Sequence, residues 1–439
     1  MDLERHCRPG SQNPIHFRRR PAARLRVAAV RAVSPIVVGG GIGGLTAALA
    51  LHAVGESCIV FEQSLNPREL GVGINLLPPA VEVLARIGLL EELDRAGIRT
   101  GSLIFATKSG QVISRTSRGL DAGFDFPQIS IPRGRLFGVL LQEMRRRLGP
   151  GRFRTGCRLV DIQQQTDCVI ARFEDQSVGK TFEQSAPYVI GADGLRSTVR
   201  ALLNPAEKPP RWSGHLLWRG AVDWPRWEDG RTMFIAGGMA AKFVFYPVAQ
   251  TGSDEARLTN WAIMMDMADG MPPILPEESW NRQANRSAVA EMADRTFDIG
   301  FVDIKGLIAA TPEIFEFPLL DREPLERWTH GRISLLGDAA HPMYPVGSNG
   351  ATQAILDADC LSKCVAEAHS SEYALRKYET QRRRATTSLM LGNRAGGPER
   401  IIDLVEAQAP DGFDDVRDIL SSRELSEFGL LDPATGRLD

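Results

Sequence analysis

Cysteine is the first scarcity. Six cysteines are spread over 439 residues, at Cys7, Cys58, Cys157, Cys168, Cys360 and Cys364, too dispersed for the disulfide framework of a small secreted scaffold, and a reducing cytoplasm fits them. Cys360 and Cys364 stand four apart in an apolar helical stretch, with no other Cys or His at ligand spacing nearby. They are assigned to helix packing, and no metal site is expected. Net charge is also nearly absent: 52 Lys and Arg against 54 Asp and Glu leave a formal charge of -2, which offers no electrostatic reason to expect nucleic acid or an anionic membrane as partner. Long apolar runs are missing too. Leu45–Ala53 is too short to span a bilayer, no other segment is longer, and stable membrane insertion is not expected. Internal repeats are lacking, and biased composition is confined to residues 1–33, which hold eight arginines against Asp2 and Glu4. That head has no uninterrupted apolar region of the kind a signal peptide needs. It reads as a disordered or non-native extension, with a transit peptide as the other reading.

What remains is the composition of a soluble globular chain, 43 % hydrophobic and 24 % charged, long enough for one large or two moderate domains. Ile36–Val38 reads as a buried strand, followed by a glycine turn, a helix over Ile42–Ala53 and a strand Cys58–Phe61 that ends at Glu62: a βαβ unit. Pro78 and Pro79 open a helix whose apolar face runs through Val81, Leu84, Ile87 and Leu90. Leu103–Ala106 and Val112–Arg115 flank a turn at Lys108-Ser109-Gly110, and Arg135–Leu148 is amphipathic. From about Trp212 to Leu320 strand-like pieces dominate: Leu216–Ala221, Thr232–Ala236, Lys242–Pro247 and Leu258–Met264. Pro272, Pro273 and Pro276 interrupt this region before a polar helical stretch. A second sheet layer inserted into a discontinuous nucleotide domain explains the change of character. After it, Ile333–Leu336 returns to the buried-strand pattern and helices follow to about Met390.

Three segments carry chemistry. Gly39-Gly40-Gly41-Ile42-Gly43-Gly44 satisfies G-x-G-x-x-G. Gly39 permits the tight turn, Gly41 lets a pyrophosphate approach the backbone at the helix N-terminus, and Gly44 lets the helix pack on the sheet. Glu62 arrives eighteen residues after Gly44 at a strand end, where an acid accepts from ribose hydroxyls and repels a 2′-phosphate. Dinucleotide binding follows from the combination. The second segment, Gly191-Ala192-Asp193-Gly194-Leu195-Arg196-Ser197-Thr198-Val199-Arg200, reads by itself as a strand–turn–helix joint with a solvated arginine pair, in which Asp193 caps the helix beside a phosphate. The third is Gly337-Asp338-Ala339-Ala340-His341-Pro342-Met343-Tyr344-Pro345-Val346-Gly347-Ser348-Asn349-Gly350. Asp338 stands at a strand tip, able to accept from a polyol chain or simply to cap a turn. Gly347 and Gly350 let backbone N–H groups crowd a ligand at the start of a helix over Ala351–Val365, and such donors suit the anionic edge of a reduced flavin.

In this order and separation the three segments resemble the class A flavoprotein monooxygenases, the aromatic hydroxylases built on the para-hydroxybenzoate hydroxylase fold. Leu70-Gly71-Val72-Gly73-Ile74-Asn75, Trp218-Arg219-Gly220 and the stretch Tyr344–Asp357 are similar in particular to the phenazine-modifying hydroxylases of that family. The likeness covers roughly residues 35–390. It implies an α/β fold, with an FAD-binding Rossmann-like domain, an inserted mixed β-sheet substrate domain and C-terminal helices. The expected division is an extension at 1–33, FAD-binding parts at 34–102, 126–205 and 326–390, a substrate-domain hairpin at 103–125, a substrate domain at 206–325 and a C-terminal extension at 391–439.

The resemblance also implies roles. Gly39, Gly41 and Gly44 would hold the FAD pyrophosphate, Glu62 the adenosine ribose, Arg133 the phosphates and ribityl chain, Asp193 a motif shared between FAD and NADH or NADPH, and Gly337 with Asp338 the ribityl region. Pro345 and the loop Gly347, Ser348, Asn349 and Gly350 would sit beside the isoalloxazine, where Pro345, Gly347 and Tyr246 are the catalytic candidates. Gln353 stands where many members have asparagine. The implied reaction uses NAD(P)H as a transient reductant and O2 to form a C4a-hydroperoxide that hydroxylates a small aromatic or heteroaromatic substrate in the cytoplasm, in a monomer or homodimer. No second glycine fingerprint serves NAD(P)H, which fits transient docking. The hydroperoxide needs exclusion of water more than acids or bases.

Substrate contacts are sought in Arg219, Tyr246 and Met233, each with an alternative reading as an interdomain ion pair or core side chain; Met264 carries the same two readings as Met233, pocket lining or core. His341 is assigned a structural hydrogen bond rather than the part of a base, and His215 is weaker still. The competing readings are an FAD-dependent reductase or dehydrogenase without oxygen transfer, and a non-catalytic flavin-binding effector sensor. A flavin halogenase is disfavoured, because Trp224-Pro225-Arg226-Trp227 does not supply the Trp-x-Trp-x-Ile-Pro segment.

Overall fold

Two sheets share the chain by exchanging segments along its length. The computed structural model describes residues 34–67, 71–267 and 282–428; the expected extension at 1–33, Leu70 of the segment Leu70–Asn75, and Pro272, Pro273 and Pro276 lie outside the described residues. The first sheet is five-stranded and wholly parallel, in the order Ile333–Leu335, Val189–Gly191, Ile36–Val38, Ile59–Phe61, Phe153–Arg154. Every residue of Ile36–Val38 is buried, as expected for a central parallel strand covered on both faces. The helix Ile42–Ala53 packs on it and on the later helix Asn349–Glu367. A three-stranded antiparallel sheet, Cys157–Gln164, Val169–Asp175 and Lys180–Ala186, contributes Phe173 to a stack on Phe61.

The second large sheet has seven strands in the order Phe315–Asp321, Arg211–Pro225, Ala256–Asp266, Ala241–Gln250, Thr232–Ala236, Ser102–Ala106, Val112–Ser117. It is mixed because Thr232–Ala236 pairs in parallel with Ser102–Ala106 while every other pairing is antiparallel. The hairpin near residue 103 therefore extends this sheet. Strand alternation sorts its side chains into two layers. Trp218, Phe234, Phe243, Phe245, Trp261 and Ile263 pack under the helices Arg286–Thr296 and Ile304–Ala310. Their alternate neighbours face the nucleotide-binding half. A small sheet, Gly73–Leu76, Gln128–Pro132 and Ile98–Thr100, stands between the two halves.

Several expectations change. The helix opened by Pro78 does not run on through Leu90. It ends at Arg86, Gly88 turns with φ +78°, and a separate helix spans Leu90–Ala96. The apolar period continued across the break because Ile87 and Leu90 still pack on the same core. The strand Arg211–Pro225 is far longer than Leu216–Ala221. The C-terminal stretch lies over the seven-stranded sheet: Ile401, Ile402 and Val405 of the helix Arg400–Gln408 join Leu103, Phe105, Met233, Ile235 and Tyr246 in one buried cluster. Among the described residues no helix is long and apolar enough to cross a membrane, and every described cysteine is free.

Candidate active site

The glycine turn is shaped as its spacing requires. Gly39 has φ +104°, and a Cβ there would sit 2.6 Å from Ala192 C and 2.8 Å from Asp193 Cα; only glycine fits. Gly44 lies against the Gly39 carbonyl, so a side chain would overlap the turn. Gly41 is the exception, since a Cβ there meets nothing within 4 Å. It is also the N-cap of the helix Ile42–Ala53, with no side chain capping that end. The helix therefore presents uncapped N–H groups and positive dipole to open space, the arrangement that accepts phosphate. Glu62 closes the same turn: its Oε2 accepts from Gly40 N at 2.8 Å and its Oε1 from Ser64 N at 2.7 Å.

A single cavity opens in front of that helix end, and it gathers many of the residues singled out in the sequence: Gly41, Arg133, Arg219, Met233, Tyr246, Gly337, Asp338, Pro345, Ser348, Asn349 and Gly350 all line it. Arg133 is the first residue of the helix Arg133–Leu148. Asp338 follows the strand Ile333–Leu335, exposed on the cavity side, and its carboxylate forms no hydrogen bond or ion pair among the described residues. An uncommitted carboxylate at a strand tip is a good acceptor for a polyol chain. The donor set and the room at Gly41 and Gly350, where a Cβ also meets nothing within 4 Å, therefore fit an extended dinucleotide such as FAD.

Other candidates stand outside the lining. Asp193 is turned into the following helix, accepting from Ser197 Oγ at 2.5 Å and Val199 N at 3.1 Å, while its neighbours Ala192 and Gly194 face the cavity. Burial pushes its carboxyl above the usual range against these hydrogen bonds. Of the arginine pair beyond it, Arg196 is exposed as expected, but Arg200 is not. Arg200 is fully sealed, gripping Glu207 and donating to the carbonyls of Ala339, Ala340 and Glu323, so it ties the second motif to the third. Gly347 has φ +65°, and its N–H donates to Glu399 Oε1 at 3.1 Å. Ser348 adopts the left-handed region at φ +57°, costly for a non-glycine residue, and Asn75 Nδ2 donates to its hydroxyl at 3.2 Å.

The opposite wall is one face of the seven-stranded sheet. Leu217 and Arg219, Met233 and Ile235, Lys242, Val244 and Tyr246, and Asn260, Ala262 and Met264 alternate onto it from four strands. Met264 thus lines the cavity rather than only filling core. Gly73 is the hub of the polar corner: its N–H donates to Asn260 Oδ1 at 2.7 Å, and its carbonyl accepts from Tyr246 Oη at 3.0 Å and from the Arg219 guanidinium. No side chain fits at Gly73, because a Cβ would come within 2.8 Å of Asn260 Cβ and closer still to Val248. Burial lowers the Arg219 pKa; Tyr246 opposes the shift and the nearby Arg133 cation adds to it. Among the described residues no carboxylate pairs with Arg219. Burial pushes the Tyr246 phenol up, with Arg219 working against it.

His341 is structural. Its Nε2 meets Asp357 at 2.5 Å, both are almost wholly buried, and the ring stands outside the cavity lining. Burial opposes the Asp357 charge, but His341 and Arg382 outweigh it and hold that carboxyl below its ordinary range. His215 bonds Ser213 and the Met239 carbonyl, also away from the cavity. Gln353 accepts from Arg382 at 2.6 Å. Three polar lining residues were not singled out in the sequence. Lys242 and Asn260 stand in strand alternation with Tyr246 and Met264, so the signal was present. Glu399 had none, since it reaches the cavity from the C-terminal segment.

Residues 32–391 match the family model described as FAD binding domain. Phenazine 1,6-dicarboxylic acid hydroxylase PhzS of Lysobacter antibioticus is 39% identical over 364 residues, 82% of this chain and 88% of that protein. The 6-hydroxynicotinate 3-monooxygenase of Bordetella bronchiseptica is 30% identical over 367 residues, 79% of this chain and 86% of its own. Among solved structures, 2,6-dihydroxypyridine-3-hydroxylase from Arthrobacter nicotinovorans aligns with a TM-score of 0.68 at 25% identity, covering 83% of this chain and 92% of that one. Klebsiella pneumoniae HpxO complexed with FAD and uric acid aligns at 0.70 and 23% identity over 90% and 95%, a likeness of fold.

Proposed function

This chain belongs to the FAD binding domain family, as an FAD-dependent monooxygenase of aromatic compounds, and from that premise we propose that its substrate is a flat aromatic or heteroaromatic carboxylic acid, hydroxylated with NAD(P)H and O2. The observation that carries the substrate class is Arg219. A guanidinium stays charged when buried, and here it stands in the cavity wall with neutral partners only, Gly73 O and Tyr246, and with the Arg133 cation nearby. Such a cation is best satisfied by a carboxylate, which it holds through two parallel hydrogen bonds. Beside it Val244, Ala262, Ile235 and Leu217 supply an apolar floor for a ring system.

When bound, FAD supplies the electron transfer and oxygen activation. On this reading the uncapped helix end at Gly41 and Arg133 hold its phosphates, Glu62 its ribose and Asp338 its ribityl hydroxyls, with the Pro345–Gly350 loop against the ring. The protein residues then have three tasks: Arg219 and Tyr246 fix the acid end of the substrate, the apolar floor orients its ring, and that same apolar wall keeps water from the reacting atoms. NAD(P)H docks transiently. The chain acts in the cytoplasm.

Purified holoenzyme, NADH and NADPH, and a panel of mono- and bicyclic and fused aromatic acids with their methyl esters decide the matter, with O2 uptake, H2O2 and 18O-labelled product measured together. Acids should stimulate NAD(P)H oxidation at least tenfold more than their esters and yield labelled product. Equal stimulation by the esters would remove the acid from the proposal. Turnover without O2 would turn the assignment to a dehydrogenase, and FAD binding without any ligand-stimulated oxidation to a sensor.

A further inference from the structure

The segment just beyond the family match closes over the loop assigned to the flavin ring. Asn393 Nδ2 donates to the Tyr344 carbonyl at 3.2 Å. Gly397, at φ +55°, lies so close to Val346 that a Cβ would come within 2.7 Å of its Cγ1, and Pro398 packs over Gly347. Glu399 then takes hold of the loop itself, Oε1 accepting the Gly347 N–H at 3.1 Å while Oε2 pairs with Lys242 of the seven-stranded sheet. Both side chains are about 95 % buried and line the cavity. A buried ion pair is costly to keep unless each group has further partners; here the spare carboxylate oxygen is spent on a backbone donor in the loop.

We infer that Glu399 is a positioning residue for the flavin, fixing the left-handed pair Gly347–Ser348 and tying the flavin loop to the substrate wall through Lys242. The inference rests on the reading that Pro345–Gly350 contacts the ring. The Gly347 amide is committed to Glu399, so the cavity-facing residues that follow it, Ser348 to Gly350, carry the backbone donors left to meet the cofactor. Their aim depends on the φ +65° and φ +57° turn that precedes them. Glu399 and Asn75 hold that turn from its two sides, the carboxylate at Gly347 and the amide at Ser348.

Glu399→Ala, Glu399→Gln and Lys242→Met test this in the full chain. In apoprotein, hydrogen exchange of the peptide 344–350 should accelerate at least tenfold in the Ala variant. Its FAD dissociation constant should rise about tenfold, and the flavin absorption band of the loaded protein should shift. Glu399→Gln keeps an acceptor for Gly347 and should restore exchange protection and the spectrum to near wild type; Lys242→Met leaves the carboxylate and should retain loop protection. Exchange within twofold of wild type in Glu399→Ala overturns the inference, as does a Gln variant no better than Ala. Accelerated exchange with unchanged FAD affinity and spectrum overturns the loop's assignment to the flavin, and the inference with it. Should the Ala variant not fold, loss of protection in Glu399→Gln is the overturning result.

Discussion

Gly41→Ala separates folding from cofactor binding at one atom. A Cβ at this position meets nothing within 4 Å, and its φ of -73° is open to any L-residue. Alanine is a poorer N-cap than glycine by roughly 0.5–1 kcal/mol, but it restricts the unfolded chain and recovers about 0.4–1 kcal/mol. The two nearly cancel, so apoprotein stability should change by less than about 1 kcal/mol and Tm by no more than ~3 °C. The methyl group instead occupies the space in which a pyrophosphate must reach the uncapped helix end. Losing one charge-assisted hydrogen bond there costs about 1.5–3 kcal/mol, equivalent to a rise in FAD Kd of roughly 10- to 150-fold. Gly44→Ala is the control. Its Cβ would overlap the Gly39 carbonyl oxygen, and forcing the helix off the strand should cost about 3 kcal/mol or more in apoprotein stability. Urea unfolding of apoprotein and fluorescence titration with FAD measure both quantities. An unchanged FAD affinity in Gly41→Ala, with Gly44→Ala folding normally, would refute the assignment of this helix end to phosphate.

Asp338→Ala should leave the fold intact, since the carboxylate has no partner among the described residues, yet weaken FAD retention on gel filtration by about tenfold; unchanged retention removes it from the ribityl path. Glu62→Gln should reduce FAD affinity more than turnover of the loaded enzyme, and a selective loss of hydroxylation would contradict its place at the ribose. Gly73→Ala should destabilise the protein by about 2 kcal/mol or more through collision with Val248 and Asn260 and raise substrate KM, read by denaturant unfolding and steady-state kinetics. Asp357 has a lowered folded pKa, so its ionised form is the one the fold prefers. Its contribution is complete above its unfolded value near 3.9 and declines as pH falls through the depressed folded value. Asp357→Asn should therefore lower stability at pH 7 and flatten the acid limb of the unfolding curve; an unaltered acid limb would place that dependence elsewhere.

The local elements were legible wherever one physical signal dominated. The helix Ile42–Ala53 and the strand Thr232–Ala236 have the bounds read from their patterns, because glycine turns and alternation mark them without help from distant residues. The break at Gly88 was hidden by an apolar period that both flanking helices preserve. Arg200 looked wet because its partners, Glu207, Ala339, Ala340 and Glu323, come mostly from more than a hundred residues away. Glu399 was invisible for the same reason, lying 157 residues from Lys242 and 52 from Gly347. In the site, glycine conformations and strand-tip acids announced themselves, whereas the polar corner at Gly73 forms only when four strands converge.

The interleaving of the two sheets bears on how the chain is made. The strand Ile36–Val38 has its partner Ile59–Phe61 early, but its other edge stays open until Val189–Gly191 has been synthesised, and that strand in turn waits for Ile333–Leu335. At about 5–20 residues per second, the first gap of about 150 residues alone lasts roughly eight to thirty seconds on the ribosome. Ser102–Ala106 likewise waits for Thr232–Ala236. Neither apolar layer can close during early synthesis, so the nascent chain exposes unpaired hydrophobic edges for most of its elongation. Yield of active protein should therefore follow chaperone supply and translation speed more closely than the stability of the finished fold.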